Sequence, residues 1–89
     1  MKATLVSEKC FKNYNNFDVQ QVTYRLDPPC NGYAEVMVSH VDPDDGCDPT
    51  GLFFGYDEDN WDAGERTYFH DVMTDAEVLA TLGYSVETR

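Results

Sequence analysis

Basic side chains are scarce in this 89-residue chain, where six Lys and Arg stand against seventeen Asp and Glu and the net charge is −11. Phosphate groups repel such a polyanion, which excludes direct binding of nucleic acid or of an anionic membrane surface. Apolar runs are short, as at 52–54, whereas a transmembrane helix needs about 20 apolar residues. Charge at Glu8 and Lys9 comes too early for a signal peptide, so we expect a cytoplasmic protein.

Cysteine is sparse and follows no motif. Cys10, Cys30 and Cys47 are an odd number without CxxC spacing, which argues against a secreted disulfide scaffold and favours reduced thiols. A zinc site would need these thiols to converge with His40 and His70, and none of the five has zinc-ligand spacing. We therefore predict no metal centre and no cofactor.

Catalytic motifs are also missing. Cys47 with His40 or His70 as its base has no accompanying sequence signature, and no Gly-rich phosphate loop, nucleophile elbow or HExxH motif occurs. Hydrolysis by paired carboxylates needs a cleft that raises one pKa, whereas the aspartates here lie in turn-rich segments. We expect a protein without enzyme activity and without catalytic residues.

The sequence does contain a clear β pattern within one domain that spans residues 1–89. Apolar residues alternate along 17–26 and 33–41 on either side of a turn-rich segment, which predicts a β-hairpin with a six-residue loop, 27–32. A change of phase in the first segment predicts a bulge near Gln20-Gln21. Further strands are predicted over 3–11, 52–56 and 67–72.

A helix start follows these strands. Thr74 is suited to the N-cap and Glu77 to the third helical position, which together form a capping box. Apolar residues at helical spacing come next, and Gly83 is suited to follow the last turn. The predicted fold class is α+β, with an antiparallel sheet of four to five strands and one short C-terminal helix.

The negative charge is concentrated in one part of the chain. Residues 42–77 hold twelve acids and a single base, Arg66, so this stretch carries the whole −11. Solubility needs a net charge of only about 2–8 in magnitude, and concentrated charge opposes folding through self-repulsion. The concentration therefore indicates a cationic partner, which is either a metal ion or a basic protein surface.

Calcium is the first such cation to consider. An EF-hand loop requires oxygen ligands at positions 1, 3 and 5, Gly at 6 and Glu at 12. Counted from Asp42, position 6 is Cys47 and position 12 is Phe53, and the register that starts at Asp57 fails in the same way. An irregular, acidic calcium-binding module is left as one alternative.

Two acidic segments, 42–48 and 57–65, form the candidate surface, and the sequence leaves open whether both lie at one end of the sheet. Acids recur in both at two-residue spacing, about 6.6 Å along one face of an extended chain. Duplex DNA carries a charge about every 1.7 Å of its axis, so these rows imitate it coarsely. Tyr56 and Trp61 are the predicted aromatic anchors, while most other nearby aromatics, Tyr68 included, are assigned to the core. The predicted partner-binding residues are Asp42, Asp44, Asp45, Asp48, Tyr56, Asp57, Glu58, Asp59, Trp61, Asp62 and Glu65.

The runs 42–48 (DPDDGCD) and 56–62 (YDEDNWD), in a small acidic domain without enzyme motifs, resemble those of phage-encoded inhibitors of the DNA-mimic and anti-CRISPR type. The resemblance rests on size and charge over less than half of the chain, and these families share no motif that transfers single residues. It implies a non-enzymatic inhibitor, expected to be monomeric, that occupies the nucleic-acid channel of a basic partner. A CRISPR surveillance complex, with type I first, is the implied partner. A phage structural or assembly protein is the other alternative.

Overall fold

One β-sheet organises the part of the chain that the structure describes, residues 1–57, 59 and 64–87 of a computed structural model. No helix within these residues has the length and apolar character that a membrane crossing requires. A 3-10 turn at Pro43–Asp45 separates the third strand from the fourth. The elements are β1 (Lys2–Lys12), β2 (Asp18–Cys30), β3 (Tyr33–Val41), β4 (Thr50–Phe54), β5 (Glu65–Phe69), α1 (Asp75–Ala80) and β6 (Ser85–Glu87).

The described strands lie in the order β5-β4-β3-β2-β1-β6. Strands β1 to β5 pair antiparallel with their neighbours, whereas β6 runs parallel to β1 and pairs with it over Lys2–Thr4. The α+β class and the short helix near the C-terminus are confirmed, but the prediction of four to five antiparallel strands is wrong. Strand β6 escaped prediction because three residues are too few to show an alternating pattern.

The core lies between one face of this sheet and α1. Val22, Val38 and Leu52 are aligned across β2, β3 and β4, so their side chains share this face, and all three are buried. Helix α1 adds Val78 and Leu79, which have no exposed surface. Burial of each such side chain stabilises the fold by about 1.5–3 kcal/mol. We call this the helix face and the opposite side the open face.

The β2–β3 hairpin is confirmed with a shorter turn than predicted. Strand β2 continues to Cys30, and the chain reverses at Asn31-Gly32. The φ angles there are 50° for Asn31 and 84° for Gly32. Asn and Gly tolerate positive φ best, and for this reason Asn-Gly favours two-residue hairpin turns.

The predicted bulge in β2 is wrong. The β2–β3 register runs without a break through Gln20-Gln21. In the pairing of β1 with β2, the register shifts instead between Leu5 and Ser7 of β1. The apolar pattern of β2 changes phase because Val19, only 6% exposed, is buried on the open face. A change of face within a regular strand thus produced the same sequence pattern as a bulge.

Helix α1 begins as predicted. The Thr74 hydroxyl accepts a hydrogen bond from the Glu77 backbone N–H at 3.2 Å, and the Glu77 carboxylate accepts one from the Thr74 N–H at 3.1 Å. This capping box satisfies backbone donors that the first turn leaves without partners. Gly83, with φ of 85°, follows the last turn.

Buried Thr50 anchors the connection between β5 and α1 to the sheet. Its hydroxyl donates to the Asp71 carbonyl oxygen at 2.9 Å and accepts from the Met73 backbone N–H at 3.2 Å. The residue has no exposed surface. One side chain therefore fixes both sides of the turn that leads into the helix.

Replacing Thr50 with Val preserves the shape of the side chain and removes both hydrogen bonds. We expect the free energy of unfolding to fall by about 1–3 kcal/mol, because a buried donor and a buried acceptor lose their partner. Thr67→Val on exposed β5 is the matched control and should change it by no more than about 0.5 kcal/mol. Urea denaturation measures both variants. Equal losses in the two would show that Thr50 has no anchoring role.

Candidate functional site

Six aspartates converge at the end of the sheet where β2 and β4 begin and β3 and β5 end. The β3–β4 loop supplies four of them, the start of β2 supplies one, and the residues after β5 supply the last. Antiparallel pairing brings these chain segments together although up to 53 positions separate them. We call this set the acidic end, which consists of Asp18, Asp42, Asp44, Asp45, Asp48 and Asp71.

Specific hydrogen bonds hold the acidic loop in place. The Asp45 carboxylate accepts from Asn13 Nδ2 at 3.1 Å and from Asn15 Nδ2 at 2.8 Å, both on the β1–β2 turn. Asp42 Oδ1 accepts from the Asp44 backbone N–H at 2.9 Å and caps the 3-10 turn. These contacts hold the carboxylates in fixed positions, and a fixed group loses less entropy when it binds a ligand than a mobile one does.

Lys12 and His70 pair with carboxylates of the acidic end. Lys12 Nζ lies 2.9 Å from Asp18 Oδ1, and both side chains are largely exposed. His70 Nδ1 lies 2.6 Å from Asp48 Oδ1, with the imidazole almost fully exposed. Exposed pairs of this kind contribute about 0–1 kcal/mol, and each involves a single carboxylate. The acidic end therefore keeps a net negative charge.

A groove of about 560 Å³ connects the acidic end to the open face. Asp45 and Asp48 line it together with Phe53 and Tyr68, whose rings meet edge to face with centroids 5.6 Å apart. Tyr68 is 51% exposed, so its assignment to the core is wrong. It is exposed because β5 is an edge strand and α1 packs on the opposite face. Carboxylates beside an exposed aromatic ring suit an Arg or Lys side chain.

The described residues of the second acidic segment lie at the opposite end of the sheet. Strand β4 runs from the acidic end toward Asp57, so its length, about 13 Å, separates Asp57 from the acidic end. The sequence left open whether the two segments share one end of the sheet, and their described residues do not. An antiparallel strand necessarily places the loops before and after it at opposite ends.

Only part of the second segment is described. Asp57 Oδ1 accepts from the Asp59 backbone N–H at 2.9 Å, and Tyr56 lies with its ring centroid 6.2 Å from that of Phe53. Glu65 is exposed at the start of β5. The remaining predicted residues lie outside the described residues: Glu58, Trp61 and Asp62.

A half-buried polar network that sequence reasoning missed lies under the start of α1. The Asp75 carboxylate accepts a hydrogen bond from the Tyr24 hydroxyl and pairs with His40 Nε2. The side chains of His40 and Asp75 are 22% and 21% exposed. Part of the signal was available, because Tyr24 and His40 continue the apolar alternation of Val22 and Val38 on the helix face, but no local pattern indicated their contact with Asp75.

The network determines the charge states of its members. Burial, the largest effect on Asp75, favours its neutral form, but the hydrogen bonds from His40 and Tyr24 outweigh it and hold the pKa of Asp75 below its usual value. Burial and then the Asp75 carboxylate raise the pKa of Tyr24 well above the ordinary tyrosine value. Asp75 therefore stays ionised and joins the helix to the sheet.

The side chains considered for metal and thiol chemistry have other partners. No group of three or more His, Cys, Asp or Glu side chains within the described residues is placed to hold a metal ion. Of the two bases considered for Cys47, His70 pairs through Nδ1 with Asp48 and His40 pairs through Nε2 with Asp75.

Comparisons with known proteins assign no family. No protein-family model, curated protein or solved structure matches the chain. The geometry of the acidic end is therefore the basis for assigning a function.

Replacing Asp75 with Asn tests the network through its pH dependence. Because the folded state lowers the pKa of Asp75, its stabilisation is complete above the unfolded value of about 3.9 and is lost as the pH falls through the folded value. We expect Asp75→Asn to lower the free energy of unfolding by about 1–3 kcal/mol at pH 7 and by progressively less below about pH 4.

Asp71→Asn is the charge-matched control, because that side chain is exposed, and it should cost little at any pH. Chemical denaturation across the pH range measures both variants. A loss from Asp75→Asn that is the same at neutral and acidic pH would show that the ionised carboxylate does not stabilise α1.

Proposed function

We propose that this chain is a non-enzymatic inhibitor that binds the basic, nucleic-acid-binding surface of a partner protein through its acidic end and thereby excludes DNA. The observation that carries the proposal is the groove in which Asp45 and Asp48 lie beside the exposed ring of Tyr68. A groove with these properties accepts a partner's Arg or Lys side chain, with the charge on the carboxylates and the stem against the ring.

Size and charge support competition with DNA. The described part of the chain measures 36 × 26 × 23 Å, so its longest dimension matches about one helical turn of duplex, roughly 34 Å. The six carboxylates of the acidic end occupy one end of this body. A basic channel that accepts a phosphate backbone therefore has a charge complementary to the acidic end.

Attraction and specificity come from different parts of the molecule. The net charge of −11 accelerates encounter with a basic partner and makes the association rate depend on salt. Tight binding needs a few desolvated contacts at fixed positions, and the groove beside Asp45 supplies them. The second segment, with Asp57, Asp59 and Glu65, then contributes long-range attraction from the opposite end.

A CRISPR effector complex is the first partner to test, with multisubunit type I complexes ahead of others. This choice follows from the resemblance of the acidic runs to phage-encoded inhibitors, and it places the chain in the cytoplasm of a bacterial host. Other DNA-binding proteins with a basic channel, such as restriction enzymes and repair nucleases, satisfy the same physical requirements. A pull-down from bacterial lysate at low and high salt, read by mass spectrometry, identifies the partner.

Charge reversal at the two ends tests which end makes contact. One triple variant carries Lys at Asp44, Asp48 and Asp71, and the control carries Lys at Asp57, Asp59 and Glu65. Both raise the net charge by the same amount. We expect the first to weaken partner binding at least about 100-fold and the second less than about tenfold, because only the first removes direct contacts.

Calorimetry with the purified partner measures both affinities, and circular dichroism confirms that each variant is folded. Equal losses of affinity in the two variants would show that net charge alone determines binding. A larger loss of affinity in the control variant would show that the partner contacts the opposite end of the sheet.

Exclusion of DNA is a separate expectation. Increasing amounts of the chain should displace a labelled target duplex from the partner, and excess duplex should reverse this, because both ligands need the same basic side chains. Fluorescence anisotropy of the duplex follows the displacement. A ternary complex that holds both ligands at saturation would show that the inhibition is allosteric and not competitive.

A further inference from the structure

Among the described residues, the outer edge of β1 is open over most of its length. Strand β1 has eleven residues, yet β6 pairs with only Lys2–Thr4. Beyond Thr4, no strand in the described part of the chain pairs with this edge. Exposed Leu5 and Val6 lie along the strand, and Tyr14 is fully exposed in the turn after it. An open edge of this kind is a template for another strand.

The backbone groups of Glu8, Cys10 and Lys12 point outward along this edge. The Asp18 carbonyl oxygen accepts from the Asp42 N–H at 3.3 Å, so Asp18 turns its backbone groups toward β3. Lys12 faces Asp18 across the β1–β2 register and therefore turns its own groups away from β2. Because directions alternate along a strand, Cys10 and Glu8 do the same.

We propose that two copies of this chain pair antiparallel through these edges, around a two-fold axis at Cys10, and join their sheets into one. In this register Cys10 faces Cys10 of the second copy, and each Glu8 faces a Lys12. Opposite charges that face each other across strands stabilise the pairing. Each Lys9, whose Nζ lies 5.4 Å from the centroid of its own Phe11 ring, also faces the Phe11 ring of the second copy.

Charge selects this register over its neighbours. Outward-pointing residues must face one another, so the two-fold axis lies between one residue and the same residue of the second copy. An axis at Glu8, Lys9 or Lys12 sets two like charges directly opposite, which destabilises the pair. An axis at Phe11 places Lys12 opposite Cys10 and loses both Glu–Lys pairs. Among axes at residues 8–12, Cys10 alone gives two Glu–Lys pairs without a like-charge pair.

The edge is also where two acidic molecules repel each other least. Residues 2–12 carry three bases and one acid, whereas 42–77 carry the whole negative charge. Within one chain Lys12 pairs with Asp18, and the Glu8 carboxylate accepts a hydrogen bond from Gln20. Both contacts are exposed, so replacing them with the Glu8–Lys12 pairs of the dimer costs little free energy. A two-fold pairing closes on itself, so the product is a dimer and not a filament. The dimer replaces the expectation of a monomer and does not depend on the proposed function.

Sedimentation velocity and thiol crosslinking test the dimer. The sedimentation coefficient should rise with concentration toward that of a dimer, and a short bismaleimide should join the Cys10 thiols of two copies. Cys10→Ser should abolish the covalent dimer, while Cys47→Ser, which removes another exposed thiol, should leave it intact. A monomer at every concentration, or a covalent dimer that survives Cys10→Ser, would overturn the proposal.

Charge exchange tests the register. Glu8→Lys should raise the dimer Kd at least about tenfold, because it creates two like-charge pairs, and Lys12→Glu should do the same. Combining the two substitutions should restore the wild-type Kd. Glu35→Lys, an exposed change of equal charge on β3, is the control and should leave the Kd unchanged. A folded double variant with no recovered affinity would rule out this register.

Discussion

Asp75 accepts hydrogen bonds from two strands at once, and the position of α1 depends on this contact. Six residues are too few for a helix that is stable by itself in water. The helix nevertheless supplies Val78 and Leu79, which cover a sheet that has no second layer elsewhere in the described residues. An ionised carboxylate under the first turn, with Thr74 as the cap, compensates for the short length.

The same anchoring builds the acidic end. Thr50 fixes the carbonyl of Asp71, so the chain after β5 returns beside the β3–β4 loop. Asn13 and Asn15 hold the Asp45 carboxylate there against the repulsion of its neighbours. Self-repulsion of concentrated charge opposes folding. In the proposed complex a cationic partner would relieve that repulsion, so the free energy lost to repulsion in the free protein would add to the binding energy.

Local patterns were enough to predict part of this structure. The turn-rich segment 27–32 marked the hairpin and Thr74 with Glu77 marked the helix start, since both signals depend on a few consecutive residues. Contacts between distant residues were not predictable in this way. Asp75 is 35 residues from His40 and 51 from Tyr24, so their meeting depends on which face the helix covers.

The candidate site was predicted only in part for a similar reason. Composition identified the acidic segments, but composition does not reveal the direction of β4 between them. The alternating pattern of β5 does not show whether Tyr68 is buried or exposed. Its exposure depends on the position of β5 at the edge of the sheet. The order of strands in the sheet therefore decided which acids and which aromatic ring share a surface.

The central claim is that the fixed carboxylates at one end of the sheet form the site for a cationic partner. Chemical-shift mapping of the ¹⁵N-labelled chain with a short oligoarginine peptide tests it most directly, because no partner has to be known. The account predicts the largest shifts in residues 42–48, at Tyr68 and at Asp71, with small shifts at Asp57 and Asp59. Shifts of equal size at both ends, or largest around Asp57, would contradict it.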